Sequence, residues 1–126
     1  MPRFALLEHT GAPDDPTGRH VDLLVEDGDH CRTWRLADVP ITDGPAVTAV
    51  EIAPHRLAWL DHLDGPVSGG RGHARRIDSG TCRLVMAGKA AVIEISSGVD
   101  AFTLRLEKGL CAATRASSGR PDLSGF

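Results

Sequence analysis

The chain has 126 residues, enough for one domain with a core and too few for two ordinary ones. An apolar content of 41% and a charged content of 25% are those of a globular protein and exclude wholesale disorder. A net charge of −3 with a pI near 6.0 excludes a surface that is basic throughout.

Phe4 to His9 reads as an opening strand, followed by a turn-rich loop from Gly11 to Gly18. His20 to Glu26 is a second strand, with Val21, Leu23 and Val25 on one face and His20, Asp22, Leu24 and Glu26 on the other. Asp27-Gly28-Asp29 is a hairpin turn into a third strand, Cys31 to Leu36. Pro40 to Pro45 is a loop before a fourth strand, Val47 to Ile52, whereas Pro54 to Leu60 fits a helical turn and an irregular strand equally. Gly65 to Gly72 carries four Gly and one Pro, the composition of a loop whose backbone can approach a ligand closely. Ala74 to Asp78 and Thr81 to Met86 are expected to flank a turn at Ser79-Gly80. Ala87-Gly88-Lys89 turns into Ala90 to Ile95, and Phe102, Leu104 and Leu106 mark a last half-buried strand. The pattern thins after Gly109, so residues 1–110 are expected to form the domain and 111–126 a flexible C-terminal segment. The fold class this predicts is all-β, a small antiparallel closed barrel of about eight strands with irregular loops.

No apolar run approaches the ~20 residues of a membrane helix. Met-Pro-Arg-Phe-Ala-Leu-Leu-Glu turns acidic too soon for a signal peptide. Cys31, Cys82 and Cys111 are odd in number and widely spaced, which predicts buried, unreactive thiols in a reducing cytoplasm.

The segment richest in chemistry is His20-Val21-Asp22. Residues two apart on a strand project to one side, so an imidazole and a carboxylate stand together there. A neighbouring strand ending at His9 can add a third ligand, and two His with one carboxylate is a recognised way to hold a divalent metal with open positions. Arg71 to Arg76 packs three Arg and one His into six positions, either a solvated face or a phosphate-facing patch. Gly69-Gly70-Arg71-Gly72 is no P-loop, because no Gly-Lys-Ser/Thr follows.

In order along the chain, Phe4-Ala5-Leu6-Leu7-Glu8-His9, His20-Val21-Asp22-Leu23-Leu24-Val25-Glu26 and Thr33-Trp34 resemble the start of the 3′-phosphoesterase domain of bacterial DNA ligase D. That family shows a Phe-x-x-Gln-x-His strand, a His-x-Asp-x-Arg-x-Glu strand and Ser-Trp-Ala-Val-Pro-Lys. Val50 to Trp59, Asp64 to Gly70 and Ile77 to Thr81 continue the likeness, which spans roughly residues 4 to 81. The resemblance implies a manganese-dependent β-barrel that removes 3′-phosphates and 3′-terminal ribonucleotides from DNA ends. It carries the metal ligands onto His9, His20 and Asp22, and a phosphate-contacting His onto His55.

The chain departs from the family at several positions. Leu24 stands where the family has a phosphate-gripping Arg, Leu7 replaces its Gln, and its Lys after the Trp has no counterpart. Arg71 is expected to take over the phosphate, with Arg35 or Arg75 behind it, and His30, His62 and His73 are expected to be structural. The expected partners are DNA 3′ ends and a separate ligase or polymerase, with no membrane. The losses leave two alternatives open, a non-catalytic barrel that binds phosphate or DNA ends, and a structural partner for such an enzyme.

Overall fold

The computed structural model describes residues 1–115. The chain is all-β, and no α-helix occurs among the described residues. The strands are β1 (Arg3–Thr10), β2 (Arg19–Asp27), β3 (His30–Leu36), β4 (Val47–Arg56), β5 (Asp64–Pro66), β6 (His73–Ala87), β7 (Ala90–Ser97), β8 (Asp100–Glu107) and β9 (Leu110–Arg115). Successive hairpins and the pairing of β1 with β6 close eight of them into an antiparallel ring, with β5 attached outside β6. Ring closure leaves few unpaired edges, which a small β protein must otherwise shield.

Alternation along each strand divides the side chains into two sets. The inward set fills the ring: Phe4, Leu23, Leu36, Ile93 and Leu104 are fully buried in one cluster to which all eight ring strands contribute. With only two Trp, three Phe and no Tyr, Leu, Val, Ile and Ala supply most of this core. The outward face of β1 to β3 carries a second cluster of Ala5, Leu7, Leu24, Cys31 and Leu60, covered by a short 3-10 turn at Leu57–Asp61. That turn, with β4 extended to Arg56, settles the segment that periodicity leaves undecided. All three cysteines are free and buried. Burial pushes the Cys31 and Cys82 thiols up to about 11 and Cys111 to about 12.

Two expectations require correction. Ser79-Gly80 is no turn; β6 runs unbroken through it, pairing with β1 on one side and β7 on the other. Gly80 is there because the chain is crowded, not because it reverses: a Cβ would overlap the Ser96 carbonyl oxygen and press on the Phe4 ring. Asp78 completes the junction, accepting from the Ser79 amide at 2.9 Å and from the Ser97 hydroxyl. The second correction concerns the end of the ring. Beyond Gly109 the chain forms β9, whose Cys111 and Ala113 belong to the core, so the ring runs to Arg115. The rest of the expected flexible segment lies outside the described residues.

Gly80→Ala is therefore expected to destabilise the protein by about 2 kcal/mol through overpacking, read as a lowered urea midpoint with an unchanged m-value.

Candidate metal centre

Strand register brings the three predicted ligands together. His9 pairs directly with His20 across β1 and β2, and Leu7 with Asp22. His9, His20 and Asp22 thus share the outward face, continuing the row that begins with the apolar cluster around Leu7 and Leu24. The two imidazoles meet edge to face with ring centroids 4.9 Å apart. One ligand atom from each of the three residues lies within 4.8 Å of the others.

Hydrogen bonds assign the ring nitrogens. His9 Nε2 donates to the Arg71 carbonyl at 2.7 Å, since that oxygen can only accept, so Nδ1 is the nitrogen that faces Asp22 Oδ2, 3.7 Å away. His20 Nδ1 donates to the Asp15 carboxylate at 2.7 Å, which leaves Nε2 to donate to Asp22 Oδ2 at 3.3 Å. Each imidazole is therefore held from behind by an oxygen acceptor, the arrangement that orients metal-binding histidines. The reach of Arg71 depends on Gly72: a Cβ there would overlap the Thr10 carbonyl, so only glycine lets the Val67–Gly72 loop close on the end of β1.

His20 and Asp22 are buried, and Asp22 Oδ1 has no hydrogen-bond partner. Burial opposes protonation of His20, but its hydrogen bonds with Asp22 and Asp15 outweigh it and raise the pKa above 6.5. Asp15 is lowered to about 2, by the Thr17 hydroxyl first and then by His20. Asp15 was not singled out as functional in the sequence. It lies in an irregular loop where no strand period relates it to His20, and only its place five residues upstream hints at the contact.

Beside these ligands opens a cavity of about 720 Å³. Leu7, Pro13 and Trp59 line it with apolar surface, and His9, Asp22, Arg35, His55 and Arg71 with polar groups. The volume falls within the ~300–1,000 Å³ of ordinary small-molecule sites. His55 reaches it because β4 pairs with β9 only at Val47 and Thr48 and then runs on beside β3 alone, placing His55 opposite Cys31. Burial lowers the His55 pKa below 6.5, with the Asp22 charge a smaller opposing influence. Its Nδ1 is buried without a partner.

The three cations weighed for the phosphate differ in placement. Arg71 lines the cavity, but its guanidinium donates to the Ser68 carbonyl at 2.7 Å and to Ser68 Oγ at 3.1 Å. Arg75 is on the opposite face, paired with Glu8 at 3.1 Å. Arg35 stands directly across from Asp22 on β3 and faces the cavity. Leu24 is fully buried in the second cluster, on the same outward face as Asp22 but under the Leu57–Asp61 turn. His62 Nε2 donates to the Ala74 carbonyl at 2.8 Å, His73 pairs with Asp64, and His30 with Asp29.

Comparison with models of known protein families gives no match, and comparison with curated proteins gives none.

Two outcomes follow from this geometry. The raised His20 pKa adds stability to the metal-free protein that is complete below about 6.5 and is lost as pH rises through the folded-state value. Asp15→Asn, measured by urea unfolding with chelator present, is therefore expected to cost more stability at about pH 5.5 than at about pH 8.5. Leu24→Arg, which restores the residue of the resembled family, is expected to lower stability by about 3 kcal/mol by burying an unpaired charge.

Proposed function

We propose that the chain is a divalent-metal-dependent phosphoesterase acting on 3′-phosphate or 3′-ribonucleotide ends of DNA. The observation that carries the metal site is the convergence of the buried Asp22 carboxylate with two imidazoles, each held through its other nitrogen by an oxygen acceptor. A nitrogen–carboxylate donor set of this kind suits Mn²⁺ and several neighbouring divalent ions. The DNA-end substrate and the preference for Mn²⁺ come from the resemblance to the ligase D phosphoesterase domain, and with them a cytoplasmic protein partnering a separate ligase or polymerase.

His9, His20 and Asp22 would hold the metal, through His9 Nδ1, His20 Nε2 and an Asp22 oxygen. When bound, a divalent ion polarises a phosphoryl oxygen and lowers the pKa of a coordinated water toward neutrality. Asp15 and the Arg71 carbonyl orient the two imidazoles, and the His20 Nε2 proton that is donated to Asp22 would leave when the ion binds. His55, neutral at physiological pH because it is buried, offers one N–H to a phosphate oxygen and one lone pair to a proton. The apolar wall at Leu7, Pro13 and Trp59 gives the organic part of the substrate a surface and excludes water beside the phosphate.

A second reading, a non-catalytic binder of phosphate or DNA ends, is favoured by one observation. The position of the family's Arg is a buried Leu24, which offers the substrate no charge.

Release of phosphate from a 3′-phosphorylated primer annealed to a template separates the two. The expected result is turnover that requires Mn²⁺ and falls by at least about 100-fold in His20→Ala and Asp22→Asn, with metal affinity lost in parallel. Turnover unchanged in His20→Ala would refute the mechanism, and tight end-binding without turnover would establish the second reading. Because the metal must displace the His20 proton, its affinity is expected to rise with pH through the raised His20 pKa, as measured by calorimetric titration.

A further inference from the structure

We propose that Arg35 is the residue that grips the substrate phosphate, and that Asp14 occupies its guanidinium until the phosphate arrives. This rests on the phosphoesterase reading of the site. Arg35 pairs in register with Asp22, so its side chain leaves the same face of the sheet as the candidate metal ligands and lines the same cavity. Its Nε is buried and has no hydrogen-bond partner. One terminal nitrogen donates to Asp14 Oδ2 at 3.3 Å. The guanidinium is thus positioned at the cavity with one donor bare and another lightly engaged. A buried N–H without a partner is an uncommon and costly arrangement, and a phosphoryl oxygen would satisfy it.

Three of the arginines around the site are committed elsewhere, while Arg56 lines the cavity from the exposed end of β4. Arg71 is tied to Ser68, while Arg19 and Arg75 both pair with Glu8 on the opposite face. Arg35 also sits one residue after Trp34, not at the position of the Lys in the resembled family, so the clamp belongs to this chain's own arrangement.

Asp14 fits the part of a displaceable counterion. Its side chain is 72% exposed, and an ion pair so open to water is weak. Its loop stays in place without it: Gly11 donates to the Gly18 carbonyl, Asp15 to that of Ala12, and Gly18 to that of Asp15. The Asp14 carboxylate can therefore turn to solvent while Asp15 remains on His20. A phosphate dianion carries more charge than a carboxylate and presents more acceptor oxygens to the planar fork of donors, so it wins the competition for Arg35.

The test titrates inorganic phosphate into the metal-free and Mg²⁺-loaded protein and follows the Arg35 Nε–H signal by NMR, with affinities from calorimetry. In the wild type the signal is expected to move on phosphate addition. Arg35→Ala is expected to weaken phosphate binding by at least about tenfold, with Arg35→Lys in between. Asp14→Asn is expected to tighten it by about threefold, and to have no such effect in an Arg35→Ala background. Arg35→Lys and Asp14→Asn keep the test valid if Arg35→Ala fails to fold. A motionless Arg35 signal, phosphate affinity unchanged in both Arg35 variants, or weaker binding in Asp14→Asn would overturn the proposal. Failure of the parent reading looks different. If no metal supports release of 3′-phosphate but phosphate binding follows Arg35 and Asp14 as described, the clamp stands and the phosphoesterase reading falls. If release proceeds undiminished in Arg35→Lys and Arg35→Ala, the clamp falls and that reading stands.

Discussion

Everything in this molecule depends on the two-residue alternation of β1, β2 and β3, because these strands are buried on both faces for different reasons. Their inward residues, among them Phe4, Leu23 and Leu36, fill the ring. Their outward residues form a row that changes character along its length. At one end Ala5, Leu24 and Cys31 pack under the Leu57–Asp61 turn, and at the other His9, His20 and Asp22 converge. A one-residue slip of β2 against β1 would send His20 and Asp22 into the apolar core and leave His9 alone on the outward face. The packed interior that resists this slip therefore also holds the candidate ligands in line.

The apolar half of the outward row has its own part in the site. Leu24, Leu7 and Leu60 exclude water beside Asp22, and this desolvation makes the contacts of the buried carboxylate and imidazole consequential. The loops then supply what the strands cannot. Asp15 and the Arg71 carbonyl each accept a hydrogen bond from the outer nitrogen of a histidine, so two irregular segments set the ring orientations that β1 and β2 merely position. Arg71 thus contributes through its backbone, while its guanidinium is engaged with Ser68.

The charge distribution also differs from its appearance in the linear chain. The basic run from Arg71 to Arg76 looks like a patch, yet alternation and looping disperse it. Arg75 turns to Glu8, Arg76 to the Leu60 carbonyl, and His73 to Asp64. Arg35, by contrast, pairs in register with Asp22 and shares its face, while Arg56 and Arg71 reach the same cavity from β4 and the Val67–Gly72 loop.

Local pattern was enough to determine the all-β class, the first three strands and the face on which His20 and Asp22 stand, because strand alternation and turn residues act over a few positions. It misread Gly80, since a glycine required by a neighbouring strand's carbonyl looks the same in sequence as one required by a turn. It also ended the domain before β9, a short strand held by its place in the core more than by its own pattern. Only the tertiary structure decided that His55 reaches the cavity, that Asp15 and Arg71 hold the histidines from behind, and that Arg35 stands beside Asp22 at its wall. Those contacts join irregular loops or strands distant in the chain, and no period in the sequence encodes the closure that brings them together.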